Sequence, residues 1–171
     1  MDERSGKITM KGNPLTLLGP ELKIGDMAPD VVLANNDLAP VPLSSYKGKI
    51  CIISSVPSLD TPVCDMETRR FNEEAGELGD NVVTLTVSMD LPFAQKRWCG
   101  AAGVDKVVTL SDYGDMSFGY AYGVLIKELK LLARSVFVLD REGIIQYMQL
   151  VKEVADEPDY QGILDAVKKL T

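Results

Sequence analysis

Three cysteines, at positions 51, 64 and 99, are the residues with the most distinctive chemistry in this chain of 171 residues. Histidine is absent, which removes the commonest general base, the commonest zinc ligand and any Cys–His couple. A cysteine nucleophile must therefore be activated here by other means, such as a helix N-terminus, a nearby arginine or backbone N–H donors. The position of each cysteine along the chain indicates which of them can react.

Cys64 lies in the first turn of a predicted helix that directly follows a buried apolar strand, residues 49–56. In α/β folds the carboxyl end of such a strand is where ligands bind. Unpaired N–H groups and the positive end of the helix dipole favour the thiolate at this place. Thr61, three residues earlier, can offer its hydroxyl to the sulfur or to an oxygen of a bound substrate, or it can simply cap the helix. Cys64 is therefore the candidate nucleophile.

The other two cysteines have different settings. Cys51 lies inside the buried strand, which predicts a small hydrophobic side chain with a raised thiol pKa. Cys99 lies near the end of a predicted helix, residues 92–102, and is 35 residues from Cys64, a spacing that excludes a C-x-x-C pair and matches no zinc site. A Cys64–Cys99 disulfide would have to join two helices, with Cα atoms within about 7 Å, and would need local unwinding. Taken alone, Cys99 is equally a resolving thiol or a buried hydrophobic residue.

The elements that must position these cysteines alternate between strands and helices. A hairpin at residues 7–18 and a strand at 27–33 precede the buried strand, and a helix follows it, with Asp60 or Thr61 as its cap and an end before Gly79. Further along, the pattern predicts strands at 81–88 and 106–111, the helix 92–102 between them, a Gly- and Tyr-rich segment at 112–124, a strand pair at 134–140 and 143–151, and a helix at 160–170. This order predicts one α/β domain, residues 1–171, with a mixed sheet flanked by helices. A thioredoxin-like or a flavodoxin-like sheet would both fit.

Charge and composition argue against nucleic acid and membranes as binding partners. The chain has 18 Lys and Arg against 25 Asp and Glu, a net charge of −7, so no basic surface is expected for nucleic acid or for an anionic membrane. The charged N-terminus has no apolar signal core, and no segment approaches the ~18 apolar residues of a membrane span. We therefore expect a cytoplasmic protein, in which three cysteines are too few for a disulfide scaffold.

Three segments resemble the bacterial thiol peroxidases of the peroxiredoxin superfamily. The stretch PSLDTPVCDMETRRFN, residues 57–72, carries the superfamily pattern P-x-x-x-[ST]-x-x-C. The stretch SMDLPFAQKRWCGAAG, residues 88–103, is similar to the resolving-cysteine region of that subfamily, and QLVKEVADEPDY, residues 149–160, is similar to its closing strand and loop. The likeness extends over essentially the whole chain.

This resemblance implies a thioredoxin-like fold with an added N-terminal β-hairpin, a homodimer, and no metal or organic cofactor. Cys64 takes the peroxidatic position and Cys99 the resolving position. Pro57 shields the pocket, Thr61 hydrogen-bonds the reacting atoms, and Arg134 holds the thiolate and polarises the peroxide. The implied activity is reduction of hydrogen peroxide and organic hydroperoxides through a sulfenic acid and an intramolecular Cys64–Cys99 disulfide, with thioredoxin as the recycling reductant in antioxidant defence.

Two further expectations and three rivals accompany this interpretation. The regions around Cys64 and Cys99 should partly unwind during the cycle, and Met89, Phe93 and Tyr120 are weak candidates for pocket lining, because such residues more often belong to a core. The rivals are a binding protein switched by oxidation of Cys64, a general thiol–disulfide oxidoreductase, and a structural domain with inert cysteines. The missing C-x-x-C motif argues against the second.

Overall fold

A computed structural model of the protein describes residues 2–171. The strands are β1 (Glu3–Met10), β2 (Asn13–Leu18), β3 (Val32–Ala34), β4 (Pro40–Pro42), β5 (Ile50–Ser55), β6 (Val82–Ser88), β7 (Val108–Ser111), β8 (Leu125–Ile126), β9 (Leu131–Leu132), β10 (Ser135–Leu139) and β11 (Ile145–Leu150). The α-helices are α1 (Pro62–Leu78), α2 (Pro92–Ala102), α3 (Ser117–Ala121) and α4 (Tyr160–Leu170), and a short 3₁₀ helix covers Leu43–Tyr46. Within residues 2–171, no helix is long and apolar enough to cross a membrane.

A seven-stranded mixed sheet forms the centre, in the order β11-β10-β5-β6-β7-β3-β4. Strands β5, β6 and β7 run parallel, and helices α1 and α2 connect them in turn. Strand β10 is antiparallel to both β5 and β11, which rules out the all-parallel flavodoxin-like sheet. The prediction of a mixed sheet with flanking helices is confirmed.

Strand β5 is buried on both faces, as its continuous apolar sequence predicts. Cys51 and Ile53 point into one hydrophobic cluster, and the alternate residues Ile50 and Ile52 point into a second. The second cluster includes Phe71 of α1 and residues of α4, so both helices cover the same face of the sheet. This packing fixes the start of α1 at the carboxyl end of β5.

The predicted N-terminal hairpin is present as β1 and β2, which pair antiparallel with Met10 opposite Asn13 at the turn. It belongs to a separate four-stranded sheet with the order β1-β2-β8-β9. Its outer strand also meets the chain after β11: Thr9 N donates to Lys152 O at 2.7 Å, and Val154 N donates to Thr9 O at 2.9 Å. The hairpin therefore holds the segment that follows the central sheet.

Some local elements differ from the sequence prediction. The strand expected at 27–33 is only Val32–Ala34, because Pro29 lacks a backbone donor and the Asp30 side chain accepts from Ser44 N instead. The segment 112–124 contains helix α3, whose first turn is held by the Asp112 carboxylate accepting from Phe118 N and Gly119 N. A helix of five residues is too short to produce a periodic pattern, and the two-residue strands β8 and β9 escape detection for the same reason.

Candidate active site

The first turn of α1 places Cys64 at the carboxyl end of β5. Thr61 occupies the N-cap position with an extended backbone, and Pro62 stands at the first helical position, where a missing N–H costs nothing. The N–H groups of this turn have no acceptor within the helix and give the site a positive field. The Cys64 side chain is fully buried and packs with Val56 and Leu59.

Arg134, immediately before β10, reaches the sulfur from the neighbouring strand. Its Nη1 lies 3.3 Å from Cys64 Sγ, and its Nε and Nη2 both donate to Val154 O, at 3.0 and 2.8 Å. The side chain is 2% exposed, so the guanidinium group lies in the interior of the protein and is not a surface charge. Two bonds to one carbonyl oxygen orient the guanidinium group and leave its third nitrogen for the sulfur.

Glu67, one turn after Cys64 on α1, is the second buried charged group of the site. Its Oε2 lies 3.6 Å from Arg134 Nη1 and accepts from Ser54 Oγ at 3.3 Å, while its Oε1 has no hydrogen-bond partner in the structure of residues 2–171. Burial raises the pKa of this carboxyl to about 7, and the charge of Arg134 opposes that rise only in part. Near neutral pH the site therefore holds a carboxyl group that can keep or lose its proton.

One guanidinium group thus faces two groups that can be anionic. With Glu67 ionised, the charge of Arg134 is divided between the carboxylate and the sulfur, and with Glu67 protonated it is available to the sulfur alone. Because all three side chains are almost completely buried, two anions beside one cation would leave a net negative charge out of water. The Glu67 carboxylate therefore competes with the sulfur for the charge of Arg134.

The loop between β5 and α1 is anchored by Asp90, which follows β6. Asp90 Oδ1 accepts from Ser58 Oγ at 2.7 Å, and Oδ2 accepts from Leu59 N at 2.8 Å and from Ser88 Oγ at 2.7 Å. Pro57, at the start of this loop, is buried beside the end of the strand. These bonds fix the path of the chain from β5 into the first turn of α1.

Thr61 is exposed, and its hydroxyl donates to Ser58 O at 2.9 Å. The prediction that Asp60 or Thr61 caps α1 is confirmed for Thr61, which is the N-cap residue, although its side chain makes no capping hydrogen bond. The hydroxyl proton is used within the loop, and its lone pairs remain available as acceptors. Nothing in the structure brings this hydroxyl into a hydrogen bond with Cys64.

Cys99 lies on α2 and points away from Cys64. Its Sγ is 3.4 Å from Thr109 Oγ1 of β7, and that hydroxyl in turn donates to Asn36 Oδ1 at 2.9 Å. Its neighbour Trp98 lies on another side of the helix and packs against the cluster that contains Cys64. Consecutive residues on an α-helix point about 100° apart, so this division follows from helix geometry. All three cysteines are free thiols in this structure.

Cys51 belongs to a different part of the molecule. It lies four residues before the end of β5, near the edge of the sheet opposite Cys64, and lines a mainly apolar cavity of about 270 Å³. Burial raises the pKa of its thiol to about 11, in agreement with the buried side chain and raised pKa expected from the sequence.

An open cleft of about 340 Å³ lies over the N-terminus of α1. It is lined by residues of the β5–α1 loop, of α1 and of α2, namely Leu59, Asp60, Thr61, Pro62, Asp65, Arg69, Trp98, Ala101 and Ala102. The three residues suggested as pocket lining, Met89, Phe93 and Tyr120, are not among them, and Phe93 is 65% exposed. Pro62 and Asp65 bring the cleft to the first turn of α1, which carries Cys64.

Sequence reasoning did not single out Glu67, Asp90 or Val154. A signal existed for Glu67, because residues at i and i+3 share a helix face and a glutamate on the buried face of Cys64 needs a cationic partner. Asp90 looked like an ordinary loop aspartate, and Val154 acts through its carbonyl oxygen, which no side-chain pattern reveals.

A buried cysteine at a helix N-terminus, within hydrogen-bond distance of a buried arginine and beside a mixed sheet, is typical of a thiol-dependent redox enzyme. The family model described as Redoxin matches residues 23–164, and the chain belongs to this family. It is 58% identical to "Thiol peroxidase" of Bacillus subtilis over 164 residues, 96% of this chain and 98% of the relative, and 56% identical to "Thiol peroxidase" of Halalkalibacterium halodurans over 94% and 96% of the two chains. The crystal structure of a peroxiredoxin-like protein from Aquifex aeolicus superposes with a TM-score of 0.91 at 43% identity, over 98% of this chain and 99% of that chain. The protein is a peroxiredoxin-type peroxidase, and it has the thioredoxin-like fold that the family resemblance implied.

Proposed function

We propose that the protein reduces hydrogen peroxide and organic hydroperoxides with Cys64 as the nucleophile. The observation that carries this proposal is the distance of 3.3 Å between Arg134 Nη1 and Cys64 Sγ inside a buried site at a helix N-terminus. A fixed cation and a helix dipole together stabilise a thiolate, which is the reactive form of cysteine. The resemblance to thiol peroxidases supports the same assignment.

In the first step, the Cys64 thiolate attacks one peroxide oxygen. The S–O bond forms as the O–O bond breaks, the sulfur is oxidised to sulfenic acid, and the other oxygen leaves as water or an alcohol after taking up a proton. Arg134 and the N–H groups of the first turn of α1 stabilise the negative charge that develops on the leaving oxygen. Thr61 supplies an acceptor for the peroxide proton, and buried Pro57 keeps water from the sulfur.

In the second step, Cys99 acts as the resolving thiol. The thiol of Cys99 condenses with the Cys64 sulfenic acid, so that an S–S bond forms, the S–O bond breaks and water leaves. An external dithiol protein then reduces this disulfide, and we propose thioredoxin in the cytoplasm as that reductant. Because Cys99 Sγ faces Thr109 while Cys64 is buried under Trp98, the two helices must partly unwind for the sulfurs to meet.

We also propose that the single domain, residues 1–171, functions as a homodimer. Leu91 and Phe93, at the start of α2, are 52% and 65% exposed and lie next to Asp90, the anchor of the active-site loop. Exposed apolar side chains grouped in this way are typical of an interface. Sedimentation of the wild type and of Phe93→Glu tests this, since a monomer in both cases contradicts the dimer.

The decisive experiment measures peroxide consumption with a thioredoxin system as the electron source. Wild type, Cys64→Ser, Cys99→Ser and the matched control Cys51→Ser are compared with cumene hydroperoxide as substrate. We expect no turnover from Cys64→Ser, one sulfenic acid equivalent without turnover from Cys99→Ser, and unchanged turnover from Cys51→Ser. Full activity of Cys64→Ser would overturn the assignment of the nucleophile.

A further inference from the structure

Asp65 and Trp98 join the helix that carries Cys64 to the helix that carries Cys99. Trp98 Nε1 donates to Asp65 Oδ1 at 2.8 Å, and the other carboxylate oxygen of Asp65 accepts from Arg69 Nε at 2.9 Å. Arg69 completes the cluster, because its guanidinium carbon lies 5.7 Å from the centre of the Trp98 ring and its Nη1 donates to Ala102 O at 3.3 Å. These contacts connect the first two turns of α1 with the last turns of α2.

The two residues joined by this hydrogen bond are direct neighbours of the two cysteines. Asp65 directly follows Cys64, and Trp98 directly precedes Cys99. While the bond holds, Trp98 remains packed against the cluster of Val56, Leu59 and Cys64, and Cys99 points to the other side of α2. The two sulfurs can therefore meet only after the Asp65–Trp98 bond has broken.

We propose that the Asp65–Trp98–Arg69 cluster is a latch that sets the rate of disulfide formation after Cys64 has been oxidised. Asp65 and Trp98 are positioning residues, since they act on the helices that carry the sulfurs and not on the peroxide. The closed latch keeps Cys64 beside Arg134 for the attack on peroxide, and its opening releases both helix segments for the condensation with Cys99. The inference rests on the proposed function and adds to it the contact that controls the second step.

The latch also determines how the enzyme responds to excess peroxide. A sulfenic acid that waits in the closed site can react with a second peroxide to give sulfinic acid, with a second oxygen transferred to sulfur and a second water or alcohol released. Faster opening shortens this wait. A weakened latch should therefore make the enzyme harder to inactivate by peroxide.

The chain carries its own reporter of the latch, because Trp98 is its single tryptophan. The indole group loses a charged acceptor and a packed environment when the latch opens, so its fluorescence should change with disulfide formation and not with the earlier sulfenic acid step. This signal separates a positioning role from a general loss of stability.

The test mixes reduced protein with one equivalent of hydrogen peroxide and follows sulfenic acid and disulfide by mass spectrometry after rapid alkylation. Asp65→Ala removes the carboxylate that accepts from both Trp98 and Arg69, and Trp98→Phe removes the N–H donor but keeps an aromatic ring. The matched control is Glu74→Ala, which removes another i,i+4 ion pair of α1, Arg70–Glu74 at 3.1 Å, that does not reach α2.

We expect the disulfide to form from the sulfenic acid about tenfold faster in Asp65→Ala than in the wild type. Trp98→Phe should give a similar gain, the double variant little more than either single one, and Glu74→Ala no change. Inactivation of the two latch variants should require more peroxide than that of the wild type. Equal disulfide rates in the wild type and in both latch variants would overturn the latch, whereas a wild type that forms no Cys64–Cys99 disulfide would overturn the proposed function itself.

Discussion

Arg134 Nη1 lies 3.3 Å from Cys64 Sγ, although the two residues are 70 positions apart. Arg134 directly precedes β10, and Cys64 lies in the first turn of α1. The contact exists because β10 pairs with β5, so that the start of β10 lies beside the end of β5. Arg134 therefore meets the first turn of α1 without leaving the interior of the protein. The antiparallel pairing that excludes a flavodoxin-like sheet is also what completes the site.

Arg134→Met should slow the reaction of Cys64 with peroxide by about 10²- to 10³-fold, because it removes the donor that stabilises the thiolate and the leaving oxygen. Arg134→Lys should recover only part of the rate, since lysine keeps the charge but cannot bond Val154 O twice and the sulfur once. Stopped-flow measurement of sulfenic acid formation checks both. Arg141→Met, on an exposed turn, is the control, and an unchanged rate in Arg134→Met would refute the role of this side chain.

Glu67 predicts a specific dependence of stability on pH. Its pKa in the folded state, about 7, lies above the ordinary value of 4.5, so between these pH values the folded state binds more protons than the unfolded state. Rising pH therefore favours unfolding in this range. The contribution of Glu67 is fully present below about pH 4.5 and is lost as pH rises through about 7.

Denaturant unfolding of the wild type and of Glu67→Gln at about pH 5 and about pH 8 measures this contribution. The free energy of unfolding of the wild type should fall more between the two pH values than that of the glutamine variant, which cannot ionise. The variant places an amide nitrogen where Oε1 now lacks a partner, so a loss of about 1 to 3 kcal/mol at low pH is expected. Parallel pH profiles of the two proteins would contradict the raised pKa.

Structural features that depend on residues close together in the chain could be predicted from the sequence, whereas contacts between distant segments could not. The buried strand β5, the helix starting at Pro62, the helix over residues 92–102 and the C-terminal helix have local signals, because apolar runs, prolines and helical periodicity are properties of short segments. Thr61 shows the limit of this reasoning, since a residue of the right type at the N-cap position bonds a loop carbonyl instead of the helix.

The contacts that complete the site around Cys64 could not be predicted from local sequence patterns. The role of Arg134 is implied by the family resemblance. Two of its neighbours, the acceptor Val154 O and the carboxyl group of Glu67, follow only from how the strands and helices pack in space. The Asp65–Trp98 contact likewise joins two helices across 33 positions. Neither an aspartate nor a tryptophan in the sequence indicates which distant residue it will contact. Contacts between distant segments are set by topology, which periodicity does not encode.

Glu153 links the N-terminal hairpin to the site. Its carboxylate accepts from Gly12 N, Thr9 Oγ1 and Ala155 N, which lowers its pKa and holds the segment that carries Val154, the acceptor of Arg134. Glu153→Ala should therefore slow sulfenic acid formation at Cys64 several-fold. Its rate is compared with that of Glu77→Ala, an exposed glutamate on α1. Identical rates in the two variants would show that the hairpin does not support the site.

Asp90 provides the last test, because one carboxylate holds the whole β5–α1 loop. Asp90→Ala leaves Leu59 N and the hydroxyls of Ser58 and Ser88 without their acceptor, and a loss of about 2 to 3 kcal/mol in the free energy of unfolding is expected. Asp90→Asn should cost much less, since the amide oxygen can keep the bond to Leu59 N while its NH₂ donates to Ser58 Oγ.

The two variants should also differ in catalysis. The loose loop of Asp90→Ala should raise the KM for peroxide more than it lowers kcat, because the loop carries Pro57 and Thr61 over the approach to Cys64, and Asp90→Asn should restore the KM. Thermal unfolding and steady-state kinetics measure both effects. If the alanine variant keeps the wild-type KM while losing stability, the loop anchor serves folding alone and does not shape the entry to Cys64.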